Sequence, residues 1–102
     1  MTGSAVARPL HAVIAELAIT PDIPKLLRDA GIRGTTGDQC SCAIAEYVRL
    51  RTGKPWVQVD WFNTVTGSEG THLLDSENNP PNVQDFIEDF DAGLFPELER
   101  SR

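Results

Sequence analysis

The chain has 102 residues, 40% of them hydrophobic and 24% charged, which is the composition of one globular domain and not of a disordered segment. Nowhere does an apolar run approach the ~20 residues of a membrane-spanning helix. The net charge is −6, and it is uneven: residues 1–54 hold seven basic and five acidic side chains, residues 55–102 two basic and ten acidic. An acidic second half speaks against general binding to nucleic acid or anionic membrane there.

Residues 1–8 are small or polar and are expected to be a flexible start; the start also lacks the long apolar centre of a secretory signal, so a cytoplasmic location is expected. From Pro9, the apolar positions Leu10, Val13, Ile14, Leu17 and Ala18 mark an amphipathic helix that stops at Thr20-Pro21. A second helix is predicted from about Asp22 to Ala30. Asp22 or Thr20 can cap it, and Gly31 can close it in the left-handed conformation. Arg33–Asp38 is a loop by composition, and a third helix follows from about Ser41 to Thr52, ended by Gly53.

Pro55 forces an extended start to Trp56-Val-Gln-Val-Asp-Trp-Phe, which reads as a strand continuing toward Val65. A turn through Gly67–Gly70 leads to a second strand near Thr71–Leu74. A last helix spans about Asn82–Asp91 with Val83, Phe86, Ile87 and Phe90 inward. Leu94, Phe95 and Leu98 are then expected to pack back on the core, with 99–102 a flexible end. The expected fold is thus a single α+β domain over 9–98, order ααα-ββ-α, with helices packed on a β-hairpin whose outer edge is open to a second copy of the chain.

The residues Gly37-Asp38, Cys42-Ala-Ile-Ala-Glu-Tyr47, Arg51-Thr-Gly53, Pro81 with Val83, and Phe90-Asp-Ala-Gly93 leading to Leu98 resemble a set of small uncharacterised actinobacterial proteins. The resemblance covers roughly residues 30–98 and implies a bacterial cytoplasmic protein. It implies no activity, so no functional residue follows from it.

Candidate sites are weak. Cys42 stands at the start of the third helix, where backbone N–H groups and the helix dipole stabilise a thiolate, so it is the candidate reactive thiol. Against this, no Cys-x-x-Cys spacing or adjacent basic residue supports activation. A metal site from Cys40, Cys42, His11 and His72, or a Cys42–His72–Asp75 nucleophile arrangement, can be written down, but neither has a spacing specific to that chemistry. No catalytic residue, metal or cofactor is assigned.

Asp85, Glu88 and Asp89 fall at i, i+3 and i+4 on one face of the last helix, and Asp91 lies at its negative end; no basic residue stands between Lys54 and Arg100. Like charges at that spacing repel. An uncompensated acidic face is expected where a partner docks, here a protein, and a basic one. Trp61 is expected in the core beside Val57 and Val59. Trp56 and Phe62 lie on the opposite strand face, as a candidate aromatic patch that helix packing is expected to cover. The leading expectation is a small non-enzymatic binding or regulatory protein. A winged-helix DNA-binding regulator, with Arg49, Arg51 and Lys54 near phosphates, is the alternative; a thiol-dependent enzyme or redox sensor built on Cys42 is the third.

Overall fold

A computed structural model describes residues 7–68 and 74–100. The first helix, α1, runs over Leu10–Ala18 and buries Leu10, Val13, Ile14 and Leu17. It stops where the Thr20 hydroxyl folds back on the Glu16 carbonyl at 2.7 Å. Just past its end, the Asn82 amide donates to the carbonyls of Leu17, which also accepts from the Thr20 N–H, and of Thr20, at 2.7 and 3.3 Å. In α2, Ile23–Asp29, the capping residue is Asp22, whose carboxylate accepts from the Lys25 N–H. Gly31, at φ +73°, lets the Ile32 N–H reach the Leu27 carbonyl and turns Ile32 into the core. The third helix, α3, spans Ala43–Thr52, starting two residues later than expected, and ends at Gly53 with φ +70°.

The sheet differs from the expected hairpin in one respect. What reads as one long strand is two, β1 (Trp56–Val59) and β2 (Asn63–Gly67), and β3 (Leu74–Asn78) completes an antiparallel order β1-β2-β3. The cause is Asp60. Its carboxylate accepts from the N–H groups of Phe62 and Asn63, both at 2.8 Å, closing a tight turn through the middle of the alternating run. The expected turn through Gly67–Gly70 and strand at Thr71–Leu74 fall largely on residues outside those described. The element order is ααα-βββ-α.

Val57, Val59, Thr64 and Thr66 form the buried inner face, with α3 packed on β1 and α1 on β3. The last helix, α4, spans Pro81–Asp91 and inserts Val83, Phe86 and Phe90; Phe86 stacks on Phe90 at 5.8 Å and on Phe95 at 5.2 Å. Gly93, at φ +82°, follows its end. Leu98 is fully buried and Phe95 half-buried, whereas Leu94 is exposed, contrary to the packing expected of all three. No described helix is long and apolar enough to cross a membrane.

The chain end has a fixed place. Gly34 pairs in parallel with Glu99, donating to the Leu98 carbonyl at 2.8 Å and accepting from the Arg100 N–H at 2.9 Å. A Cβ at Gly34 would lie 2.3 Å from the Ala43 backbone nitrogen, so only glycine lets the tail, this loop and the start of α3 meet. Arg8 and Arg100, assigned to flexible ends by sequence, each make a backbone hydrogen bond, to Arg51 and Gly34 respectively.

Candidate functional site

Three segments converge beside the start of α3: the loop Gly37–Cys42, the Asp60–Trp61 turn and one flank of α4. Each is tied to another. The Gly37 N–H donates to Asp91 Oδ1 at 2.9 Å, the Trp61 Nε1–H to Glu88 Oε2 at 2.7 Å, and the Val59 N–H to the Gln39 carbonyl at 2.8 Å. Between them lies a cavity of about 400 Å³. Cys42, Val59 and Ile87 supply its apolar lining and Trp61 its aromatic wall, while Asp38, Asp60, Glu88 and Asp91 supply carboxylates.

Four of the described carboxylates are paired with cations, and the others, in the groove and elsewhere, are not. Glu16 pairs with Arg8 and Arg51, Asp29 with Lys25, Glu97 with Arg28, and Glu46 with Arg49 and Arg100. Among the described residues no cation pairs with Asp38, Asp60, Glu88 or Asp91. Their hydrogen-bond donors are neutral: the N–H groups of Cys40, Phe62, Asn63 and Gly37, and the Trp61 indole. Four acids thus surround one hollow with no positive charge inside it.

The acidic residues expected on one face of α4 are divided. Glu88 and Asp91 line the groove, while Asp85 and Asp89 line a second hollow of about 190 Å³ next to Asp22 and Asn82. The ridge of Val83, Phe86 and Phe90, buried in the core, sets which flank each acid takes.

Cys42 is the N-cap of α3, its Sγ accepting from the Ala45 N–H at 3.4 Å. Burial pushes its thiol up to about 11; the N–H groups of Ala45 and Ile44 lower it and are outweighed, and Asp91 and Asp38 raise it further. The helix start does not activate this thiol, because desolvation of the thiolate exceeds what two backbone donors return. Cys40 is exposed and both cysteines are free. His72, needed by both the metal and the nucleophile arrangement, lies outside the described residues. Among those described, no three potential ligands gather around a common point.

The aromatic residues are rearranged relative to expectation. Trp61 is not in the core: it sits in the turn, 39% exposed, with its ring 4.9 Å from Phe62 in an edge-to-face contact. Trp56 and Phe62 are uncovered, at 42% and 70% exposed, and do not form one patch, since Trp56 opens β1 opposite Gly67 while Phe62 lies in the turn beyond its other end. Sequence reasoning missed Asp38, Asp60 and Trp61 as groove residues. The spacing Asp60-x-x-Asn63, a turn signature, was the available signal.

On α3 the cations proposed for a DNA contact are engaged within the fold. Arg49 binds Glu46 and the carbonyls of Cys40 and Pro55; Arg51 binds Tyr47 and Glu16. Lys54 donates to Ser68. Comparison with family models, curated proteins and solved structures finds no match in any of the three.

Proposed function

We propose that the protein is a non-catalytic binding module of a bacterial cytoplasm, and that it takes a basic side chain of a protein partner into the groove between the Asp60–Trp61 turn and α4. The observation that carries this reading is the set of four carboxylates around one cavity with no cation among the described residues to pair them. A lysine or arginine suits the remaining features. Its methylene stem can lie on Cys42, Val59 and Ile87, and its charged head can meet carboxylates and the face of Trp61.

A single exposed ion pair contributes only ~0–1 kcal/mol. The reading therefore depends on the summed field of several carboxylates along one cavity. Titration with a panel of arginine- and lysine-containing nonapeptides, followed by the NMR signal of the Trp61 indole N–H, tests it. Basic peptides are expected to shift that signal, acidic controls are not, and binding is expected to weaken as salt rises from ~50 to ~500 mM. An indole signal unmoved by every basic peptide sinks the reading.

A further inference from the structure

Acid is in excess over the whole chain, yet one hollow is lined by cations. The Gly34–Glu99 pair sets the tail beside the loop that follows α2. Arg100 then reaches Glu46 on α3, where Glu46, Arg49 and Leu50 share a flank by their i, i+3 and i+4 spacing. Between loop, helix and tail lies a hollow of about 450 Å³. Its charged lining is Arg33 from the loop, Glu46 and Arg49 from α3, and Arg100 from the tail. Ile32 and Leu50 complete it with apolar surface, Leu50 being 58% exposed.

Among the described residues Glu46 is the sole carboxylate of this lining, and it is divided between two partners: Oε1 pairs with Arg49 and Oε2 with Arg100. Three guanidinium groups against one carboxylate leave a charge of +2. Arg49 is held in place by further bonds, its Nε donating to the Pro55 carbonyl at 3.3 Å and its Nη2 to the Cys40 carbonyl at 2.8 Å. Arg33 pairs with no carboxylate among the described residues; its Nη1 meets only the Glu99 carbonyl, at 3.5 Å. Each guanidinium carries five N–H donors, so most of those on Arg33 and Arg100 are open to a ligand.

We propose that this hollow binds a phosphate dianion, free or as a small ester. Charge selects among anions: a dianion neutralises the +2, whereas a single carboxylate leaves half of it uncompensated. The planar guanidinium fork matches two phosphate oxygens at once. Charge also limits size. With +2 in the hollow and −6 in total, the rest of the chain carries −8, which repels a long polyanion such as a nucleic acid but not a compact group confined to the hollow. The hollow shares no lining residue with the acidic groove, so the two binding readings fail or stand separately.

Titration of the full chain with inorganic phosphate, phenyl phosphate and benzoate, followed by backbone amide NMR signals at pH ~7.5, where a phosphate ester is a dianion, tests the proposal. Both phosphates are expected to shift the Arg33, Leu50 and Arg100 signals with half-saturation on the order of 1 mM, and benzoate to bind at least ~10-fold more weakly. Tighter binding of phenyl phosphate assigns the apolar wall to an ester; equal affinity for the two assigns the site to free phosphate. Arg33→Gln is expected to weaken binding ~5-fold or more. Glu46→Gln removes the competing carboxylate and is expected to tighten it ~3- to 10-fold, the opposite direction. Signals unmoved by either phosphate, benzoate binding as tightly as phenyl phosphate, or Arg33→Gln binding as the parent does each overturns the proposal, as does a folded Glu46→Gln chain with no gain in affinity. The exposed Arg33 carries the test if Glu46→Gln does not fold.

Discussion

The indole Nε1–H of Trp61 donates to Oε2 of Glu88 at 2.7 Å, joining the turn after β1 to the flank of α4. The bond is solvent-exposed, so it contributes little to folding and more to the shape of the groove wall. Trp61→Phe is expected to cost no more than ~1 kcal/mol in urea denaturation. Glu88→Gln keeps an acceptor and removes the charge, so its stability is expected to stay within ~0.5 kcal/mol of the parent. For basic nonapeptides the same substitution is expected to raise the dissociation constant ~3- to 10-fold. Equal peptide affinity for parent and Glu88→Gln would remove Glu88 from the recognition surface.

Asn79 ties the sheet to the turn. Its Oδ1 accepts from the buried Thr64 hydroxyl, its Nδ2 donates to the Asp60 carbonyl, both at 2.7 Å, and its backbone N–H donates to the Phe62 carbonyl at 2.8 Å. Asn79→Ala leaves a buried hydroxyl and a carbonyl without partners and is expected to destabilise the chain by ~2–4 kcal/mol. Urea denaturation measures this. A loss below ~0.5 kcal/mol would mean that both groups find other partners on relaxation.

Thr66 shows the converse. Its Oγ1 is buried without a hydrogen-bond partner among the described residues. Valine has nearly the same shape and no hydroxyl to desolvate, so Thr66→Val is expected to stabilise by ~1 kcal/mol and to raise the denaturation midpoint. Destabilisation would show that the hydroxyl is bonded in solution.

Cys42 gives a pH dependence whose sign follows from its raised thiol. An unfolded chain releases the proton near the ordinary value of 9.0, the folded chain only at about 11. Between these values the folded state holds more protons than the unfolded one, so stability falls as pH rises, by roughly 3 kcal/mol across the window. Cys42→Ser keeps a capping oxygen and is expected to flatten that slope in urea denaturation at pH 9 to 11. Near neutral pH the same shift leaves roughly 100-fold less thiolate at Cys42 than at a free peptide thiol, and burial restricts access, so Cys42 is expected to alkylate more slowly than a free thiol, with exposed Cys40 reacting first. Equal rates at both cysteines in a mass-spectrometric time course would contradict the burial argument.

The helices were legible because their signals are local. Asp22 as a cap, Gly31 and Gly53 as left-handed ends and the spacing of Leu10, Val13, Ile14 and Leu17 each act within a turn or two of chain. The strand count was not. Val57, Val59 and Trp61 keep a period of two straight through a reversal, and only the Asp60 side chain bonding to two N–H groups breaks the strand. That same bond carries Trp61 out of the core and into the groove wall.

The sequence by itself determined an α+β domain, its helices and the excess of acid after Lys54, since composition and local periodicity suffice for these. Only the tertiary structure decided how that acid is distributed. Burial of Val83, Phe86 and Phe90 rotates α4 so that Glu88 and Asp91 face Asp38 and Asp60 across one cavity while Asp85 and Asp89 face α2. Asp38 lies in a loop and Asp60 in a turn, and the bonds that bring these segments to α4, Gly37 to Asp91 and Trp61 to Glu88, span 54 and 27 residues. No local pattern encodes a meeting of that range, because it is set by how the helices pack on the sheet.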